Sequence, residues 1–313
     1  MRAVRYRNYG PFQGLELEQA PTPRAGAHEV LVRISHAALN PKDAQLRAGK
    51  YQALSGRNFP KFTGLDFAGE VVESRCEGYR VGDLVFGFLN EWKGRRGTLA
   101  ELVTAGRSEL AHLPAGVSLE QGAAVALAGT TCLQALRDIG HIGTGTRVLI
   151  HGASGGVGTT AIQIARLLGA TVTTLSSEHN RSLCQRLGAA DARSYEQLDF
   201  QRELSEFDCV FDVYGSLSGR DLRHAMKPGA IFISTAPTLM RVLRSVVTRV
   251  SSVQERVVMV SPREADLSQL AHWLGTRELE AIVETRFGLE QAQLAFADLE
   301  RQHVRGKVII EIN

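Results

Sequence analysis

The sequence predicts an α/β protein with a doubly wound parallel sheet at its centre and a β-rich part before it. Three observations carry this. From Arg147 onward, short continuous apolar runs alternate with helical patterns, the mark of parallel strands covered on both faces. A glycine-rich stretch, HGASGGVG at residues 151–158, stands between a strand pattern and a helix pattern. In the first third, short apolar runs are punctuated by Gly and Pro, as turns between strands require. A chain of 313 residues, 44% of them apolar, is long enough for two domains.

The elements follow in order. In EVLVRISHAA, Val30, Val32 and Ile34 alternate with Leu31, Arg33 and Ser35, which predicts a strand with one buried face. DFAGEVVE and DLVFGFL are further short strands. The texture changes at Ser118, where SLEQ fits a capping box, Ser118 capping and Gln121 reaching back. A helix then runs through GAAVALA, and a second, CLQALRDI, stops at Gly140. RVLIHG is a strand. Val157, Ala161, Ala165 and Leu168 share one face of the next helix, and Gly169 ends it. TVTTLS is the second strand of this region and RSLCQRLG the helix after it. FDCVFDVYG, AIFIST and VVMVS read as further strands. SPRE opens another helix, with Ser261 as cap, Pro262 at the first position and Glu264 closing the box. GKVIIEIN closes the chain as a strand.

Composition excludes several classes of function. The net charge is +3 with both signs interspersed, which is no nucleic-acid signature. Cys76, Cys132, Cys184 and Cys209 have neither metal-site spacing nor the density of a disulfide framework. MRAVRYRNYG lacks the apolar core of a secretory signal, and GAAVALAGTTCLQAL is too short to span a bilayer. These features predict a soluble protein of the reducing cytoplasm, with neither nucleic acid nor membrane as partner.

The glycines point to a ligand. A dinucleotide pyrophosphate sits against a helix N-terminus, where unpaired N–H groups and the helix dipole favour negative charge. Side chains would block its approach, so glycine is needed at the contact points. Gly152, Ser154, Gly155, Gly156, Val157 and Gly158 are therefore assigned to the cofactor. The end of the next strand should separate NAD from NADP, since an acidic residue about 20 positions on would bind the ribose 2′-hydroxyl. Ser176 and Ser177 stand there, with Arg181 close behind. Hydroxyls and a guanidinium suit a 2′-phosphate, so NADPH is expected. Glu178 is expected to point into solvent; turned to the ribose, it would restore a preference for NAD.

The runs ALNPKD, GLDFAGEVV, GDLVFG, AGTTCLQAL, HGASGGVG and HVRGKVII, in this order along the whole chain, resemble the medium-chain dehydrogenase/reductase superfamily. They are most similar to its zinc-free quinone oxidoreductase (zeta-crystallin-like) branch. The resemblance implies a GroES-like catalytic domain of residues 1–117 plus 275–313, a Rossmann domain of residues 118–274 inserted into it, an active site in the cleft, and a homodimer. It also bears on metal. Asn40 stands where zinc-dependent members carry a first Cys, Leu65 and Asp66 where they carry His-Glu, and Ala126, Leu127 and Ala128 in the third ligand region. Catalytic zinc needs three protein ligands, so no metal is expected, and His36, His112 and His151 are read as ordinary loop or strand residues.

By the same resemblance Asn40 and Thr131 lie beside the nicotinamide. Asn40 would bind a ribose hydroxyl or the substrate oxygen, or serve as a turn residue before Pro41. Asp43 resembles a buried structural acid. Tyr51 would donate a proton or pack in the cleft. Tyr195 would stack near the adenosine phosphate. Lys307 would approach the cofactor, or sit on the surface. Without a Lewis acid, hydride goes most readily to acceptors that spread the incoming charge themselves, such as quinones and α,β-unsaturated carbonyls. The expected activity is NADPH-dependent reduction of such a small molecule. Two alternatives stay open: an enoyl-CoA reductase, its anionic substrate met by Arg241, Arg244 and Arg249 of a basic amphipathic helix, and a nucleotide-binding redox sensor or RNA-binding protein with little turnover.

Overall fold

The computed structural model describes residues 1–197, 204–248, 251–301 and 305–312; Arg249, His303 and Val304 of the sequence motifs lie outside them. Contacts divide the chain into two compact units, Met1–Thr130 with Ser261–Asn313, and Thr131–Val260. Both borders differ from the 117/118 and 274/275 expected from sequence. The first part of the helix Leu119–Leu133 packs into the first unit, where Leu127 N–H donates to Asp66 Oδ1 at 2.9 Å. The helix Glu264–Gly275 belongs there too, because Glu264 accepts from Arg107 Nε at 2.7 Å and from Tyr79 Oη at 3.4 Å.

Among the described residues, the first unit holds a seven-stranded sheet. Its order is Val283–Gly288, Lys307–Glu311, Glu29–Leu39, Asp66–Ser74, Leu84–Phe88, Leu110–His112, with Leu102–Gly106 also paired to Glu29–Leu39. All pairs are antiparallel except Val283–Gly288 with Lys307–Glu311. The strand Glu29–Leu39 buries Val30, Val32 and Ile34 as its alternation predicts, and Leu31 as well.

The second unit holds a six-stranded parallel sheet in the order Asp191–Ser194, Thr171–Ser176, Arg147–His151, Phe207–Asp212, Met226–Ser234, Val253–Val257. The chain moves outward from Arg147–His151 in one direction, then returns and continues in the other. The ends of Arg147–His151 and its neighbours thus form the switch point of a doubly wound sheet. Val148, Leu149 and Ile150 are fully buried, as are Val210 and Phe211 beside them. Each such large side chain contributes roughly 1.5–3 kcal/mol.

Three predicted elements are corrected. The stretch CLQALRDI is not a second helix: Leu119–Leu133 continues directly into a π-helical segment, Gln134–Ile139. Gly140 closes it by donating N–H to Ala135 O at 2.8 Å, and a Cβ there would lie 3.0 Å from Leu136 O. The last parallel strand is Val253–Val257, not VVMVS. It lies at the sheet edge with every residue partly exposed, so Gln254, Glu255 and Arg256 are tolerated and apolar content misplaced it. The helix predicted from Ser261 starts at Glu264, because Arg263 is still extended; Glu264 and Asp266 then sit in the first turn, where the dipole favours them.

Candidate active site

Strand register assembles the first unit's polar centre. Val308 pairs with Leu39 and Ala38 with Asp66, which places Lys307, Asn40 and Asp66 at one corner of the sheet. Lys307 Nζ donates to Asn40 Oδ1 at 2.7 Å and to Asp66 Oδ2 at 2.9 Å. Asn40 Nδ2 donates to Asp66 Oδ2 at 2.9 Å and to Ala38 O at 3.3 Å. All three residues are at most 5% exposed, so Lys307 is no surface lysine. Asn40 is more than a turn residue, and both ends of its amide are engaged by the chain itself. Burial raises the Asp66 carboxyl above its ordinary range, against the pull of Lys307 and of its hydrogen bonds.

Asn40 also starts the helix Pro41–Arg47, its N–H donating to Asp43 Oδ2 at 2.8 Å in a capping box with Pro at the first position. Asp43 is buried and its Oδ1 has no hydrogen-bond partner. Burial pushes its carboxyl up to about 7, opposed by the Asn40 N–H and reinforced by the Asp66 charge. The folded protein therefore binds this proton more tightly than the unfolded chain. The stability this provides is complete below the unfolded carboxylate range and is lost as pH rises to about 7. In Asp43→Asn no charge is buried. Relative to the parent, its unfolding free energy should rise by a few kcal/mol between about pH 4 and pH 8. Urea titrations across that range check this, and parallel curves would assign the effect elsewhere.

Tyr51 belongs to the same unit but meets neither Asn40 nor Lys307 by hydrogen bond. Its hydroxyl donates to Gln45 Oε1 at 2.8 Å, and its ring packs edge-on to Trp92, centroids 5.6 Å apart. Burial raises the Tyr51 phenol above its ordinary range, which makes it a weaker acid.

In the second unit the glycine turn joins the strand Arg147–His151 to the helix Gly156–Leu167. Gly152 has φ +77°, a left-handed conformation that favours glycine. A Cβ at Gly158 would lie 2.2 Å from Gly152 O and 2.6 Å from Ala153, so helix and strand meet here without room for a side chain. Gly155, the N-cap of the helix, is different: a Cβ there meets nothing closer than 3.8 Å. Internal packing does not require that glycine, whereas the close approach of a phosphate to the helix N-terminus would. Ser154, Gly155, Gly156 and Val157 are partly exposed. Cys132 Sγ donates to Val157 O at 3.3 Å, bringing the residue after the buried Thr131 against this loop. These residues fit a dinucleotide.

At the end of the next strand the expectations divide. Ser177 is partly exposed. Ser176 is buried, its hydroxyl turned to Ser177 O at 3.1 Å. Tyr195 donates its N–H to Ser176 O at 3.1 Å and exposes its ring beside that strand end. Glu178 is exposed as expected, yet it pairs with Arg181 Nη1 at 2.9 Å, while Arg181 Nε donates to Ala192 O at 2.8 Å. Nor does the basic helix Leu239–Val247 offer free cations. Arg241 reaches Ser234, donates to Gly215 O and Leu217 O at 2.8 Å each and approaches Asp212, and Arg244 lies 3.7 Å from Glu255. Both arginines hold the fold together, which removes the support they lent to an anionic CoA ester.

Residues 26–115 match the alcohol dehydrogenase GroES-like domain family, and residues 187–310 the zinc-binding dehydrogenase family. The trans-enoyl reductase pgmF of Aspergillus terreus is 30% identical over 100% of this chain and 96% of its own length. The structure of the quinone oxidoreductase from Coxiella burnetii superposes with a TM-score of 0.92 at 30% identity, covering 100% of this chain and 99% of that one. The chain belongs to the medium-chain dehydrogenase/reductase superfamily, in its quinone oxidoreductase branch. As a medium-chain reductase it is an oxidoreductase. A further relative in the branch, quinone-oxidoreductase QR1, chloroplastic, of Triphysaria versicolor, is 29% identical over 99% of this chain and 98% of its own length.

The donor set at the Asn40 corner differs from that of a catalytic zinc site. It presents an amide, a carboxylate already bonded to three donors, and an ammonium, where zinc needs thiolate, imidazole or carboxylate ligands. Among the described residues no three His, Cys, Asp or Glu side chains gather as a metal site, and no helix is long and apolar enough to cross a membrane. Two features escaped the sequence reading. Asp66, the hub of the first unit, was legible only as an acid inside the apolar run GLDFAG, where a buried charge demands a partner. His151, taken as an ordinary residue, places Nδ1 2.9 Å from Asp212 Oδ1, and Asp212 also accepts from Gly215 N and Leu217 N at 2.9 and 3.1 Å. This buried pair ties the end of one strand to the loop leaving the next.

Proposed function

We propose that this medium-chain reductase is an NADPH-dependent, zinc-independent enzyme that reduces a quinone or an α,β-unsaturated carbonyl. The observation that carries the reading is the Asn40–Asp66–Lys307 network, closed and internally neutral at the corner where zinc-dependent members hold their metal. Bound at the glycine turn, the nicotinamide cofactor supplies hydride. Gly155 admits its pyrophosphate, Gly158 lets the helix meet the strand behind it, Ser177 and Arg181 receive the 2′-phosphate, and Tyr195 stacks on the adenosine. Asn40 and Lys307 form a fixed polar wall beside the acceptor, and Thr131 lies at the nicotinamide end. An acceptor that spreads its own charge needs no Lewis acid from the protein. The reading includes a homodimer in the cytoplasm, supported by the family resemblance and by four cysteines that are all free and buried.

The test is cofactor consumption with NADPH and NADH against a benzoquinone, a naphthoquinone, an enone, an enoyl-CoA and a simple aldehyde. Saturable turnover of quinone or enone with NADPH supports the reading. Cofactor binding without turnover on any acceptor, or turnover of the aldehyde alone, overturns it. The Glu178–Arg181 pair supplies a sharper check of cofactor choice. Glu178→Gln releases Arg181 for the 2′-phosphate, so the ratio of NADPH to NADH affinity should rise about fivefold. An unchanged ratio in fluorescence titrations would place the 2′-phosphate away from Arg181.

A further inference from the structure

The first unit carries a second cation beside the network. Lys42 lies on the helix Pro41–Arg47, two residues after Asn40, with Nζ 3.9 Å from the centre of the Trp92 ring. The other side of this aromatic corner is Tyr51, edge-on to Trp92 at 88°. Lys42 is half-buried, and among the described residues its ammonium has neither a hydrogen-bond acceptor nor an ion-pair partner. That separates it from Lys307, whose charge is spent on Asp66. An ammonium with three N–H donors, held on an indole face and partly stripped of water, is a prepared site for an anion.

We propose that Lys42 is the cation that meets the acceptor oxygen, stabilising the oxyanion formed on reduction and then giving it a proton. The inference rests on the reductase reading above. In the step, the acceptor gains hydride at carbon from the reduced nicotinamide, its conjugated π electrons shift, and the carbonyl pair ends on oxygen as an anion. One Nζ–H bond of Lys42 breaks with its electron pair left on nitrogen, and the proton goes to that oxygen. Solvent reprotonates the amine. From an enone the product is an enol that tautomerises in water; from a quinone it is the keto tautomer of the hydroquinone, which aromatises as the ring carbon that received hydride gives a proton to solvent and the second oxygen takes one up.

The surroundings suit the task. Burial lowers the Lys42 ammonium from its ordinary value, while Asp43, Asp66 and Glu91 act to raise it. A lysine whose ammonium is lowered by burial is a better proton donor than an exposed one. Tyr51, the other candidate, has committed its proton to Gln45.

Three variants test this. Lys42→Met should lower kcat about 100-fold or more with quinone or enone while leaving the Kd for NADPH within about twofold. Lys42→Arg should retain much of the oxyanion stabilisation. In the parent, kcat should fall as pH rises through the Lys42 titration. Trp92→Leu, which opens the site to water, should move that fall to higher pH. The readout independent of turnover is 4-nitrophenol bound in the presence of oxidised NADP, whose phenolate absorbance reports a cation at the acceptor oxygen. The parent and Lys42→Arg should bind it ionised at lower pH than free nitrophenol, and Lys42→Met should not. The same ionisation in all three proteins, or an unaltered kcat in Lys42→Met, overturns the proposal. Failure of the parent to reduce any acceptor counts against the reductase reading itself, and the nitrophenol titration still decides whether Lys42 holds an oxyanion.

Discussion

Gly158→Ala should destabilise the protein by about 3 kcal/mol or more and weaken binding of the nicotinamide cofactor at least about 100-fold. The added methyl would sit 2.2 Å from Gly152 O and 2.6 Å from the backbone of Ala153, so helix and strand must part. Backbone atoms on both sides leave no flexible side chain to give way. Gly155→Ala is the informative contrast. Its methyl meets nothing closer than 3.8 Å and its φ of −76° suits any residue, so thermal stability should be unchanged. Its cofactor affinity should still fall, because the methyl would project where the phosphate approaches. Paired thermal unfolding and cofactor titrations separate the two outcomes. Unchanged affinity in Gly155→Ala would mean that no ligand comes close to the helix N-terminus.

Lys307→Met is expected to cost about 3–5 kcal/mol, the scale for removing one partner of a buried ion pair. The substitution leaves Asp66, fully buried, with its Asn40 and Leu127 bonds but no counter-charge. Burial already raises the Asp66 carboxyl, so at low pH it can take a proton and the cost should shrink. The double variant Lys307→Met with Asp66→Asn should recover most of the loss, since neither charge is then buried. Urea unfolding of the four proteins of this cycle measures the coupling. Additive losses would show that Lys307 and Asp66 act independently.

These residues show what sequence made legible. The parallel sheet and glycine turn could be read because their signals are local: apolar runs of five or six residues, and glycines within eight positions. Asn40 and Lys307 were singled out by resemblance, but their meeting was not visible, because it depends on the pairing of Leu39 with Val308 across the sheet. The contacts of Asp66 and Lys42 were not visible for the same reason. Their partners lie at Lys307 and Trp92, and nothing in the intervening sequence indicates the distance. Ser176 ends its strand and Arg181 starts the helix after it, yet sequence carries no rotamers. One hydroxyl turns inward, and the guanidinium is paired with the very glutamate expected to face solvent.

The strand that carries Lys307 pairs with Glu29–Leu39 although Lys307 stands 241 positions beyond Asp66. On a ribosome, the contiguous segment Thr131–Val260 is finished well before that strand emerges. Until it arrives, Asp66 waits without its counter-ion and residues 36–39 of Glu29–Leu39 lack the strand they pair with, a template for mispairing between nascent chains. The first unit is thus begun first and completed last. Its dependence on chaperones should be concentrated in that interval.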